Sequence, residues 1–529
     1  MAEAKAQAVK EAKTKYLSDT YQVETRPRYN AAANKVLSMS IEYYIPKTKH
    51  FKHQKDVLER SANEPYWAYF LEPGLGKSKL LIDNAAYLYE SGKIEAMVIS
   101  TVKGMCPSFE FVEIPAHIPE RISYLTFRYD AGKSTSKDFK LAWKDFLQFN
   151  GFKVFIFNVD AAKSVKLIEM MRQLYRKVNN RFIMGIDESS TIKTHTAKRS
   201  KAVVRFCRAA SYRRILTGTP ITNGPLEVFG QAIALAPPET ILGHKSFYSF
   251  RNYFANVEKK TFGNRSFQVV TGYKNTNELT ELMSTFSSII KKEDALDLPD
   301  KIYSRVVVEM PAAQKKTYET LKQEAIIELE ELGESIEVTN ILTLLVKLHQ
   351  IVCGQLKYED QNGREQYATI ENNRLSTLMD LLEAETGKVV IWSNYKQTLR
   401  DIARSISDKY GAESVIEFHG SIKQSSRETA AARFQDKNDP SRFFVANPQS
   451  AGMGLTLTTS DLAIYYSNSH SLEQRIQSED RIHRIGQLAS ARYVDLVSPN
   501  TVDDKIIDAL RKKRNLADRI VVSNWRNLL

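Results

Sequence analysis

LEPGLGKS, residues 71–78, follows an aromatic, apolar run (Tyr66, Trp67, Tyr69, Phe70) and precedes KLLIDNAAYLYESG, whose apolar residues recur at helical spacing. Strand, glycine turn, helix is the context that makes a phosphate-binding loop credible. Gly74 and Gly76 let backbone amides close round a phosphate with no Cβ in the way. In such a loop Lys77 reaches the β- and γ-phosphates and Ser78 offers its hydroxyl to Mg²⁺. The strict pattern has glycine where Leu71 stands, so the octapeptide also reads as a plain strand-to-helix turn.

Outward from that turn, short apolar runs alternate with helix-length segments: EAMVIS (95–100), FKVFIFN (152–158), RFIMGID (181–187) and RRILT (213–217). That alternation predicts a parallel sheet built from crossover helices. RFIMGIDE ends in two carboxylates, and the carboxyl end of a buried strand is where an open α/β sheet binds its ligand. There Asp187 is the candidate Mg²⁺ ligand with Ser78, and Glu188 the candidate base that orients and deprotonates water. An acidic cap on the next helix is the plainer reading of the same pair. A second set of runs, KVVIWS (388–393), SVIEF (414–418), RFFVA (442–446), LAIYY (462–466) and ARYVDLV (491–497), predicts a second sheet with no phosphate loop. One nucleotide per pair of sheets follows.

QRIQSEDRIHRIGQ, residues 474–487, sets Arg481 and Arg484 three apart, with Gln477 four before Arg481. On a helix all three share one face. Such a face is either a solvated basic surface or fixed charge lent to a phosphoryl-transfer site by a second domain.

Taken in order, these motifs resemble the Snf-two family of helicase superfamily two, over roughly residues 45–520. Gln54 in HFKHQKDVL looks like the family's adenine-reading glutamine. LEPGLGKS stands where the family has its D-E-M-G-L-G-K-T type loop, so Glu72, Pro73, Gly74, Leu75, Gly76, Lys77 and Ser78 become expected nucleotide-binding residues. DESSTIK (187–193) resembles D-E-x-H-x-x-K, and LTGTPITN (216–223) resembles L-T-G-T-P-x-x-N. VVIWSNYKQTL (389–399) resembles the strand opening the second motor domain, and AGMGLTLTTSD (451–461) the loop coupling the domains. DRIHRIGQ (480–487) is the family's most specific signature.

The resemblance implies ATP and Mg²⁺ as ligands, Glu188, Arg481 and Arg484 as catalytic residues, and Gly454 as a further nucleotide contact. It implies that Thr217, Thr219 and Gln477 couple the domains, and makes Lys103 and His419, Gly420, Ser421 candidate contacts to a nucleic-acid backbone. Polar residues of ordinary surface loops are the alternative for those four. Ser190, Thr191, Ala451 and Thr456 depart from the family's histidine, basic residue, glycine and asparagine, which puts the coupling route rather than hydrolysis in question.

The expected fold is α/β: two RecA-like parallel-sheet motor domains with helical insertions between them. The expected segments are an N-terminal helical extension (1–40), a first motor domain (41–225), helical protrusions (226–370), a second motor domain (371–498) and a closing brace helix (499–529). EVFGQAIALA, FYSFRNYFANV, NELTELMSTFSSIIKKEDAL and TNILTLLVKLHQIVCGQL carry helical periodicity. Phe247, Tyr248, Phe250, Tyr253 and Phe254 read as helix core before base-stacking residues, and His349 with Cys353 as packing.

The 529 residues exceed one ordinary core, and Lys plus Arg outnumber Asp plus Glu by 75 to 62. A surplus of +13 suits a polyphosphate partner, and with the motor motifs it points to DNA, duplex or branched, with RNA as an alternative. The basic run RKKR (511–514) reads as a solvated face or a phosphate contact. No apolar stretch approaches the ~20 residues of a membrane span. The N-terminus lacks a secretory core, and Cys106, Cys207 and Cys353 are too separated for a disulfide framework. The expectation is a monomeric, cytoplasmic, nucleoid-associated motor of bacterial or bacteriophage type, with duplex translocation favoured over strand separation or a nucleotide-gated clamp.

Overall fold

The computed structural model describes residues 40–262, 265–332, 338–359, 364–422 and 424–522. The expected N-terminal extension lies outside them apart from Ser40, as do the last residues of the expected brace.

Among the described residues six strands precede residue 220: β1 Tyr66–Leu71, β2 Ala96–Thr101, β3 Tyr124–Arg128, β4 Phe152–Asn158, β5 Phe182–Asp187 and β6 Tyr212–Leu216. β7 Ala255–Phe262 and β8 Arg265–Tyr273 form an antiparallel hairpin. β9 Ser287–Ile290 and β10 Lys301–Val307 follow, then a second hairpin, β11 Gln355–Glu359 with β12 Glu365–Thr369. The last strands are β13 Lys388–Trp392, β14 Val415–Phe418, β15 Phe443–Ala446, β16 Ser460–Tyr465 and β17 Ala491–Val497.

Two parallel sheets result, ordered β3-β4-β2-β5-β6-β1-β9 and β10-β17-β16-β13-β15-β14. These are the two parallel sheets expected from the sequence. β2, β4 and β5 are near-continuous apolar runs because both faces of a parallel sheet are covered. In the second sheet, Val390, Trp392 and Tyr465 pack on one side and Val389, Ile391 and Ile464 on the other.

The stretch 226–370 differs from the helical reading. β9 pairs with β1 and completes the first sheet, and β10 pairs with β17 and edges the second. SSII and KIYSRVV are too short and too flanked by helical patterns for their strand character to show before the partner strands are known. The aromatic cluster is mostly core, with Phe250 and Phe254 buried, while Tyr248 and Tyr253 are exposed. His349 contacts Asp503 at 3.0 Å and Tyr395 at 2.9 Å, and all three cysteines are buried and unpaired.

Candidate active site between two sheets

Three adjacent strands, β5, β6 and β1, deliver the carboxylates, the TGTP loop and the glycine turn to one edge of the first sheet. Gly74 and Gly76 have φ of +91° and +83°, the left-handed region that a Cβ disfavours. Gly218 brings the TGTP loop so close that a Cβ there would stand 2.6 Å from Pro73 Cδ. Gln54 is buried behind the turn; its amide donates to Leu75 O (3.1 Å) and its Oε1 accepts from Phe51 N (3.1 Å).

Lys77 opens the helix Lys77–Glu90, and its Nζ donates to Leu71 O at 2.8 Å. Burial pushes its pKa down, opposed by Glu188 and Asp187. Asp187, buried at the end of β5, accepts 2.7 Å from Thr101 Oγ1 on the neighbouring β2, and burial pushes its carboxyl up. Glu188 is raised to about 7, by burial first and then by Asp187. Its φ is +51°, an uncommon conformation for a glutamate and of the kind that gathers at functional sites. Thr217 Oγ1 lies 3.5 Å from Glu188 Oε2 and also accepts from Thr219 N at 3.1 Å.

The second sheet closes this edge. A Cβ placed on Gly74 would stand 3.8 Å from Arg484 Cβ. Gly454 (φ +72°) sits against Met105 of the loop after β2, so it meets the first lobe there. Ser190, in place of the family's histidine, donates to Glu473 of the second lobe at 2.6 Å, and Lys193 lies 3.8 Å from the same carboxylate. The substituted position therefore still touches across the cleft.

The arginine pair is not helical. The helix Leu472–Glu479 stops at Asp480, and residues 481–484 continue in turns. Arg481 Nε donates to Gln477 O at 3.0 Å, satisfying a helix-terminal carbonyl, so it is Gln477's backbone that couples to the pair. Arg481 and Arg484 meet instead at Leu455 O, at 3.4 and 3.1 Å. Burial and then Arg484 lower Arg481 to about 10.

The outer candidates divide. Lys103, Gly420 and Ser421 are exposed in loops at strand ends. His419 is not available there: it is 3 % exposed and faces Glu417 at 3.3 Å, because its ring turns into the lobe. In RKKR, Arg514 donates to both Glu479 oxygens (3.0 and 3.1 Å) and Lys513 to His470 O, which leaves Arg511 and Lys512 as the exposed cations. The sequence reading missed Thr101, Glu473 and Lys292. A lone threonine, glutamate or lysine beside a recognised segment carries no signal of its own until folding shows what it meets.

The SNF2-related domain family matches residues 72–356, more than half of the chain, and the helicase conserved C-terminal domain family matches residues 373–486. The DNA annealing helicase and endonuclease ZRANB3 of Bos taurus is 26% identical over 449 residues, covering 84% of this chain and 38% of that protein. The putative ATP-dependent helicase/translocase YwqA of Bacillus subtilis (strain 168) is 26% identical over 346 residues, covering 64% of this chain and 36% of that protein. This chain thus spans little more than a third of either relative's length. A solved Sulfolobus solfataricus SWI2/SNF2 ATPase core in complex with dsDNA aligns with TM-score 0.38 and 22% identity, over 92% of this chain and 96% of that one. The match to the SNF2-related model over more than half of its length establishes that the chain, with its glycine turn, paired carboxylates and closing arginine segment, belongs to the SNF2-related family.

Proposed function

We propose that the chain is an ATP hydrolase that couples turnover to movement along duplex or branched DNA. The observation that supports this reading best is the approach of Arg484, from the second lobe, to Gly74 of the phosphate turn. Lys77 and the turn's amides bind the triphosphate. Glu188 takes a proton from water, for which a carboxyl near 7 is suitably poised. Arg481 and Arg484 supply charge that the first lobe lacks, so hydrolysis awaits closure.

The residues fit Mg²⁺: Ser78 and Asp187 would hold it, and a sparse oxygen set is what this ion accepts, since it keeps waters and phosphate ligands. Two adjacent carboxylates raised by burial are a donor set that a cation suits. When bound it would neutralise phosphate charge.

DNA lying across Lys103 of one lobe and Gly420 and Ser421 of the other favours closure and so stimulates hydrolysis. Opening then shifts one grip relative to the other along the backbone. The basic surplus and the likeness to a DNA annealing helicase support DNA as the track. Among the described residues no helix is long and apolar enough to cross a membrane. We place the motor as a monomer at the nucleoid of a bacterium or phage-infected cell.

The test is steady-state ATP turnover against duplex, forked, four-way and single-stranded DNA and RNA, with strand displacement in parallel. Strongest stimulation by duplex or branched DNA without displacement is expected, and Lys77→Ala should abolish it. Displacement would make the chain a strand-separating helicase, and an absence of turnover would make it a clamp.

A further inference from the structure

All strands of the first sheet precede residue 291 and all strands of the second follow residue 300. Residues 291–300 are therefore the covalent passage between the two sheets. Lys292 opens the short helix Lys292–Ala295 of this passage and is 3 % exposed.

Its backbone belongs to the first lobe. Lys292 N donates to Glu72 Oε2 at 2.9 Å, and Glu72 N donates to Ile290 O at 3.0 Å. Its ammonium belongs to the second: Nζ donates to Asp480 Oδ1 and, at 2.7 Å, to His483 O. Its Cε lies 3.9 Å from the point where a Cβ on Gly74 would stand, the same point that Arg484 Cβ approaches. One side chain thus approaches the glycine turn and bonds to both ends of the segment that carries Arg481. The far end of the passage grips the same segment: His483 Nε2 lies 2.8 Å from Pro299 O, and Lys301 Nζ lies 3.6 Å from Asp480.

Within the ATP-hydrolysis reading, we propose that Lys292 is a positioning residue, the pin that seats residues 480–484 against the glycine turn. The physical basis is the cost of a buried ammonium. With the lobes apart, Lys292 loses Asp480 and His483 O and keeps the field of Glu72, whose Oε2 accepts from the lysine's own backbone N–H. Closure restores both, and a buried ammonium tolerates only the arrangement in which both partners reach it, so the contact fixes the register of residues 480–484 against the turn. Lys292 acts through Asp480 on its neighbour Arg481 and need not touch the substrate.

Lys292→Met keeps the aliphatic stem and removes the charge. Asp480 retains Lys301 nearby, so the fold should persist, which circular dichroism checks. Turnover should fall about 100-fold, the order expected of a displaced catalytic group. Affinity for a fluorescent ATP analogue should stay within about threefold, the split expected when transition-state positioning alone is lost. Asp480→Asn should match it, and the double variant should be no worse than either single one, the signature of one coupled unit.

A readout that needs no hydrolysis separates this proposal from the ATPase reading. Dyes at Lys201→Cys and Lys437→Cys, both exposed and on different lobes, report lobe separation, and the three native cysteines are buried. With AMP-PNP and Mg²⁺ the parent chain should show high transfer efficiency and Lys292→Met low efficiency. That result stands even if the parent chain proves not to hydrolyse ATP, in which case only the hydrolysis reading falls. Equal transfer in the two proteins, turnover unchanged from that of a hydrolysing parent, multiplying losses in the double variant, or lost nucleotide affinity like that of Lys77→Ala would each overturn the pin.

Discussion

Glu188→Gln should do two opposite things: abolish turnover and stabilise the protein above neutral pH. The substitution keeps shape and removes the charge. As the proposed base, Glu188 is worth about 10²–10⁴ in rate. The stability effect follows from its carboxyl standing at about 7 in the fold against an ordinary 4.5. Below the ordinary value both folded and unfolded chains are protonated and nothing is lost. Between there and 7 the unfolded chain ionises first, so the parent loses stability as pH rises, and above 7 the loss is complete. The shift corresponds to about 3 kcal/mol, which solvent screening at this partly buried group reduces to about 2. Denaturation midpoints of parent and variant should nearly coincide at pH 5. At pH 8 the variant should melt higher by about 2 °C. In the parent, kcat/KM should rise through about pH 7 as the base ionises. A variant that turns over normally, or is less stable than the parent at pH 8, would refute the placement of this carboxylate.

Arg484→Ala should leave affinity for a fluorescent ATP analogue within a few-fold while lowering turnover by about 10³. Equal loss of binding and turnover would make it a ground-state contact instead. Glu479 is fully buried and accepts from Arg475 (2.8 Å), Arg514 (3.0 Å) and Tyr303 (2.8 Å); against the upward push of burial, the charges of Arg514, Lys301 and Arg475 hold its carboxyl far below the usual range. Glu479→Gln takes the carboxylate from Arg514 while Arg475 keeps Asp495, and should cost about 3 kcal/mol by chemical denaturation. Because its folded pKa is depressed, the stabilisation is present above the ordinary carboxylate pKa and is lost as pH falls below it. The parent's stability should therefore drop more steeply than the variant's below about pH 4.

Much of the fold was legible because buried parallel strands leave long apolar runs, as in FKVFIFN and FIMGID, and because a phosphate turn needs glycines at fixed places. The edge strands SSII and KIYSRVV were not legible, since a short strand at a sheet edge is defined by its partner rather than by its own pattern. His419 went the same way: a polar residue after a strand looks exposed until burial shows its ring facing Glu417.

The sequence by itself determined which side chains stand at the ends of which strands, and hence that Lys77, Asp187 and Glu188 share an edge. Strand periodicity is a local property, and local physics writes it into the order of residues. Only the tertiary structure decided that Arg481 and Arg484 leave their helix and meet at Leu455 O, that Glu188 takes a left-handed backbone, and that Lys292 joins Glu72 to Asp480. The contacts among these join groups 26 residues apart for Arg481 with Leu455 and 220 apart for Lys292 with Glu72, buried where an unpaired charge is costly and each must find its partner in space rather than along the chain.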